Sequence, residues 1–444
     1  MKRKMNFSKA CYVAACVFLH CALTIFPEKS FADTVYVTDP GNAHVYAIDS
    51  TTNSVTAEIS NGFTPFVTPQ GVAFSPDRTI AYVTDVGSHT VYVVDVVTHT
   101  VTREISNNLT AFNEPQAVAF SPNGLIAYIT DVSVSAVYVV DVTTHTTLQL
   151  VSNTFAAFVQ PYGVAFSPDG SIAYVADPGN LSRTVYVIDA LTHAVTAEVS
   201  NTFFPFSEPK QVAFTPDGLT AYVTDFDNEY VYVIDVATSA VSQAISNPSF
   251  NQPYGVAVAP NGETVYVTDP SASKLYAIDT TTNTVIWSVA QTFPFGIAII
   301  PDGTLSYVAA TGAQQVEVIN ITNNTVSGIV TNAFTPFEAP FAVATFGPLP
   351  TPSILPPSNL TGFQGVNKFP FQRVYYNKIF WDASPTSAIV GYHIYRNNQL
   401  AGSNPASDLQ FTDPSVGKST SAQYAIKAYD SNGVESSAVT ITIP

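Results

Sequence analysis

Two carboxylates recur through most of the chain at a spacing near 46 residues. Asp39, Asp85, Asp131, Asp177, Asp225 and Asp269 form one series, and Asp49, Asp95, Asp141, Asp189, Asp235 and Asp279 the other. Carboxylates at equivalent places in a ring can bind cations. They suit a plainer task equally well. An Asp that ends a strand accepts hydrogen bonds from the backbone N–H groups of the following turn. A residue present in nearly every unit serves what every unit needs, so turn capping is the expectation. No stretch matches the EF-hand loop. Calcium therefore enters only as a loosely held ion in one or two loops, and no cofactor or metal site is expected.

Three histidines, His99, His145 and His193, each fall four residues after the second Asp. The same place holds Asn53, Ser239, Asn283 and Asn324 in other units. The position takes a polar turn residue that tolerates left-handed backbone angles. Between the two outermost strands of separate units, these rings are too far apart to share one ion. His44 and His89 fall in another loop, again one per unit.

A third series is aromatic. Loops carrying Phe66, Phe112, Phe158, Phe206 and Phe337 lead back into the next unit, and Glu114, Glu208 and Glu338 stand beside them. The phenylalanines either pack between neighbouring units or rim an apolar mouth that binds a partner. No nucleophile elbow, phosphate loop or HExxH occurs. Catalytic residues, cofactor ligands and metal ligands are thus all assigned as none.

The elements that position these residues follow from self-similarity. Segments like Gly71-Val-Ala-Phe-Ser-Pro-Asp77, Ala81-Tyr-Val-Thr-Asp85 and Val91-Tyr-Val-Val-Asp95 restart at Ala117, Gly163, Gln211, Gly255 and Gly296. The spacings are 46, 46, 48, 44 and 41 residues. Each unit holds four short strands rich in Val, Ile, Tyr and Thr, with Pro and Gly in the turns. That is the size of a propeller blade. The first unit begins at Val35-Tyr-Val-Thr-Asp39 without an inner strand, and the missing strand reappears as Ala342-Val-Ala-Thr-Phe346. A strand borrowed from the far end closes a seven-bladed ring and removes open sheet edges.

The repeated Tyr-Val-Thr-Asp at 36–39, 82–85, 222–225 and 266–269 resembles the YVTN family of β-propeller repeats. That resemblance covers residues 34–346 and implies a surface or exported protein. The seventh unit departs from it at Tyr307-Val-Ala-Ala310 and Val316-Glu-Val-Ile-Asn320, where both Asp residues are lost.

The ends read differently. Residues 1–32 carry a basic start (Lys2, Arg3, Lys4, Lys9), an apolar run, and small residues at Ser30 and Ala32: the pattern of a cleaved signal peptide. A retained membrane anchor, or lipoprotein processing at Cys16, are the competing readings. All three cysteines (Cys11, Cys16, Cys21) lie in this segment, so the mature chain can form no disulfide. Residues 347–357 hold five prolines and form a stiff spacer. Residues 358–444, with Trp381 and Tyr424, resemble a fibronectin type III domain, an immunoglobulin-like β-sandwich. The fold expected is all-β: a seven-bladed propeller over 33–346, the spacer, then the sandwich.

Residues 33–347 carry 27 acidic and 5 basic groups, a field that repels nucleic acid. The inner strands look apolar and alike, which speaks against a catalytic site. The expectation is a monomeric, exported, non-catalytic binding or adhesion protein. It would be secreted, periplasmic or at the cell surface, would keep no transmembrane span once mature, and would take a protein or glycan partner there. The alternative is a propeller-type hydrolase or lyase, lactonase-like, with its site at the axial mouth.

Overall fold

The computed structural model describes residues 34–180, 183–346, 357–369, 372–384, 389–397, 399–417, 421–430, 436 and 438–443. The basic and apolar N-terminal segment, its cysteines, the junction at Ala32 and all but the last residue of the proline-rich spacer lie outside them.

Seven four-stranded antiparallel sheets account for residues 34–345. In blade 2, for example, the strands run Pro69–Phe74, Ile80–Asp85, Thr90–Asp95 and Thr100–Glu104 from the axis outward. The two middle strands are buried on both faces, as Ile80–Asp85 and Thr90–Asp95 show. The outermost strand alternates: Val101 is buried and Thr102 exposed. Blades stacked face to face produce this gradient, because only the middle strands have a neighbour on each side. Seven apolar clusters result, one per interface. The cluster of Val35, Tyr46, Tyr307 and Val316 joins the last blade to the first.

The expected closure is present. Val343–Thr345 pairs antiparallel with Val35–Val37, inside the sheet that begins the ring. The Asp39 carboxylate accepts the backbone N–H groups of Glu338 and Ala339, both at 2.8 Å. The other second-strand aspartates clamp the same loop in their own blades. Asp85 takes Val67 and Thr68 at 2.8 and 2.9 Å, and also the N–H groups of Gly87 and Ser88. The third-strand aspartates cap the outer hairpins. Asp95 accepts from Thr98 and Val97, and these bonds hold its carboxyl below the usual range.

The histidine position has a second role. His99, His145 and His193 adopt φ of 54–56°, and the Asn and Ser residues that replace them φ of 50–55°. Each ring nitrogen also meets a tyrosine hydroxyl of the preceding blade: Tyr36–His99 at 2.8 Å, Tyr82–His145 at 2.7 Å, Tyr128–His193 at 2.8 Å. Asn283 and Asn324 take the same hydroxyls at later interfaces. Asn53 takes the one that closes the ring.

Beyond the propeller, Ser358–Phe369, Gln372–Asp382 and Gln410–Val416 form one sheet. Gln399–Pro405, Ile389–Arg396, Ala422–Asp430 and Val439–Ile443 form another. Ile379, Trp381, Tyr392, Tyr424 and Ile426 share a core. Among the described residues no helix is long and apolar enough to cross a membrane.

Candidate active site at the axial mouth

The loop clamps fix where each inner strand begins. A buried proline stands at each start (Pro69, Pro115, Pro161, Pro209, Pro253, Pro294, Pro340), and the residue after it lies at the mouth of the axis. Threonines of the second strands set the height of this ring. Thr84 Oγ1 donates to the Gln116 carbonyl of the next blade at 2.8 Å, and Thr130 to that of Tyr162 at 2.6 Å. Neighbouring inner strands approach closely. A Cβ on Gly163 would stand 2.2 Å from the Lys210 carbonyl oxygen, so only glycine fits there.

The frame repeats, but the residues it presents do not. Around the axis they read Gln70, Gln116, Tyr162, Lys210, Tyr254, Phe295 and Phe341. The next position is Gly or Ala in six blades and Gln211 in the remaining one. A cavity of about 150 Å³ opens among these strands, lined in part by Gln211, Tyr254, Phe295 and Phe341. A second cavity of about 300 Å³ lies at the opposite turns of blades 5 and 6, beside Asp217 and Asn261, and is lined by no lysine, arginine or histidine.

Blades 4 to 6 supply the charged and phenolic groups at the mouth, beside Gln70 and Gln116 of blades 2 and 3. The Lys210 ammonium lies 2.7 Å from Glu208 Oε1, with its side chain 13% exposed and that of Glu208 30%. It also stands 4.7 Å over the Tyr162 ring and 5.6 Å from that of Phe226. Such cation–π contacts hold an ammonium in place without neutralising it. The Tyr162 and Tyr254 hydroxyls are 2.6 Å apart. Burial raises the pKa of both phenols, so both stay protonated and one donates to the other. Phe295 lies 5.1 Å from the Tyr254 ring, and Phe341 5.1 Å from Phe295, completing an apolar wall. Asp225 positions Glu208 by accepting its backbone N–H at 2.8 Å, and burial pushes the Asp225 carboxyl up.

This cluster holds a cation, a carboxylate reachable from solvent and a phenol pair. Lys210 and the phenols can stabilise an oxygen that gains negative charge, and Glu208 can take a proton from water. Of the loop residues singled out from the sequence, Glu208 is drawn into this cluster. Glu114 is half-buried and Glu338 exposed. Phe66, Phe112, Phe158, Phe206 and Phe337 are buried at 5–8% exposure. Each packs edge-on against a third-strand tyrosine, as Phe66 does on Tyr92 at 5.0 Å and Phe112 on Tyr138 at 4.7 Å. The loops instead expose Phe63, Leu109, Phe155, Phe203 and Phe334. Sequence reasoning passed over Tyr162, Lys210 and Tyr254. The signal was present: in aligned inner strands, the residue after the proline varies where its neighbours repeat.

The model of the seven-bladed β-propeller lactonase family matches residues 32–214 and 69–257. The chain belongs to this family. Among curated proteins none matches. Among solved structures, this lactonase-family propeller is similar to the periplasmic gluconolactonase PpgL of Pseudomonas aeruginosa. Identity is 18%, over 70% of this chain and 98% of that one, at a TM-score of 0.57. The hydrazine synthase of Kuenenia stuttgartiensis shares 21% identity over 62% and 89%, with a TM-score of 0.53. The dihydro-heme d1 dehydrogenase NirN shares 13% over 71% and 75%, also at 0.53. These likenesses concern the fold. Membership of a lactonase family overturns the expectation of a non-catalytic adhesion protein. That expectation rested on inner strands that look alike, and they differ where the residue after the proline meets the axis.

Proposed function

We propose that the chain hydrolyses a cyclic ester at the axial mouth. Family membership supports this reading, and the ion-paired Lys210 beside the Tyr162–Tyr254 pair carries it. The ester carbonyl oxygen accepts from the phenol pair and Lys210, which stabilise the tetrahedral oxyanion. Glu208 removes a proton from the attacking water and returns it to the departing ring oxygen. Phe295 and Phe341 receive the apolar face of the ring. The name of the gluconolactonase among the similar structures agrees with this substrate class.

The test is hydrolysis of D-glucono-δ-lactone and δ-valerolactone, followed by acid release above the uncatalysed rate. Lys210→Met and Glu208→Gln should each lower kcat/KM by about 10²-fold or more. No catalysed release from any lactone, or full activity in both variants, would refute the assignment.

The same reading places the enzyme outside the cytoplasm as a monomer, exported through residues 1–32. It takes residues 358–444 as a fibronectin type III module, supported by the shared core of Trp381 and Tyr424 and by the Tyr424 hydroxyl on Asp413 at 2.7 Å. The YVTN-like repeats over 34–346 agree with export. The reaction as written uses no cofactor and no nucleic-acid partner.

A further inference from the structure

We propose that blade 7 holds a second ligand site, for a cation bound through oxygen atoms. It goes beyond the lactone reading and does not depend on it. In the other six blades a loop phenylalanine covers the third-strand tyrosine, and in four of them a loop carbonyl takes the hydroxyl. Tyr138 donates to the Thr110 carbonyl at 2.7 Å, and Tyr46 to that of Thr335 at 2.9 Å. Blade 7 lacks both partners. Its loop passes from Gln291 to Pro294, where the first such loop needs Asn61 to Pro69, so the covering segment is shorter by five residues. The tyrosine is replaced as well, by Glu317, which is 9% exposed.

Glu317 receives a hydrogen bond from Gln315 Nε2 at 3.0 Å on Oε1. Gln291 stands at the place of Asn61. It is 3% exposed, and neither atom of its carboxamide has a partner in the protein. In blades 1 and 3 the asparagine at this place donates to the same loop carbonyl that takes the third-strand tyrosine hydroxyl: Asn332 and Tyr46 to that of Thr335, and Asn107 and Tyr138 to that of Thr110. The repeat therefore directs the Gln291 carboxamide toward the position that Glu317 occupies. Ala310 replaces the Asp that clamps the loop in other blades, which leaves the N–H groups there to simpler turns.

A buried carboxylate with a single neutral donor is costly unless a positive group completes its shell. A largely buried carboxylate and an unpartnered carboxamide oxygen are the set that hard cations and ammonium groups take. The acidic propeller adds a field of the same sense. With a single carboxylate, affinity belongs to the weak range of extracellular calcium modules, a Kd on the order of 10⁻⁴–10⁻³ M.

The experiment is calorimetric titration of the chelator-treated full chain with calcium chloride and, separately, methylammonium chloride, with thermal melts alongside. We expect one cation per chain. Glu317→Gln and Gln291→Met should each weaken binding at least tenfold and abolish the melt shift. Response to calcium alone assigns a metal site, and response to methylammonium assigns a site for an amine-bearing ligand. Should Glu317→Gln fail to fold, Gln291→Met carries the test. The proposal is overturned if neither cation binds up to about ten times the expected Kd. It is equally overturned if a folded variant binds as the parent does.

Discussion

Replacing Asp39 with alanine tests how the ring is held shut. Its side chain is fully buried, and its two backbone partners, Glu338 and Ala339, are 299 and 300 residues away in sequence. A hydrogen bond to a charged acceptor contributes about 1.5–3 kcal/mol, and a stranded buried donor costs a similar amount. Losing both bonds should therefore destabilise the propeller by about 3–5 kcal/mol. At about 2–4 °C per kcal/mol for a chain of this size, the Tm should fall by about 6–20 °C. Asp85→Ala is the control, because its loop partners lie 17 and 18 residues away. It should lower Tm comparably. Hydrogen exchange separates the two. Asp39→Ala should deprotect Val343–Thr345 and its partner Val35–Val37 while the middle blades stay protected. A Tm within about 1 °C of the parent, or exchange that rises evenly through all blades, would refute the clamp. Were these carboxylates a cation ring instead, excess calcium would change the parent Tm and leave the variant unmoved.

The Tyr–His contacts predict acid sensitivity. Burial lowers the pKa of His99, His145 and His193, so the folded state favours the neutral rings. The unfolded chain gains protons as pH falls through about 6.5, so their contribution is complete above that pH and drains away as pH falls below it. Changing all three to Asn, the residue used at other interfaces, should flatten that part of the stability profile in denaturant titrations. Gly163→Ala should destabilise the propeller by about 1–3 kcal/mol, since its Cβ meets the Lys210 carbonyl, whereas Gly62→Ala meets nothing within 4 Å and should be neutral in the same melt. In the C-terminal sheets, Tyr424→Phe removes the hydroxyl that bonds Asp413 and Asn377, at 2.7 and 3.1 Å, and should cost about 1–3 kcal/mol by chemical denaturation.

Much of the ring was legible because sequence repetition is structural repetition. The strand borrowed from 342–346, the Asp caps and the left-handed turn at His99, His145 and His193 all follow from asking what each unit needs. The same reasoning hid the active-site candidates. Lys210 and Tyr254 sit one residue after a repeated proline, and a search for similarity averages them away. Their partners cannot be read from spacing either. Glu208 meets Lys210 within one blade, but Tyr162 meets Tyr254 across 92 positions. The tyrosines that receive Phe66 and its equivalents were visible as alternation. That each Phe turns inward while Phe63 and its equivalents turn out depends on loop geometry that the pattern does not encode.

Closure by the far end also dictates timing. Thr38 and Ala342 meet across 304 residues, whereas a loop clamp spans 18. Chain entropy makes the longer closure dearer by about 2.5 kcal/mol. The first blade also cannot obtain its inner strand until residue 345 has been synthesised. Blades 2 to 7 each have a complete local sheet before that moment, so ring closure is the expected late step of folding. Until it happens, the second strand of blade 1 and the growing end both offer unpaired edges to other chains. A nascent propeller of this kind therefore gains from being kept apart from its copies until its last strand arrives.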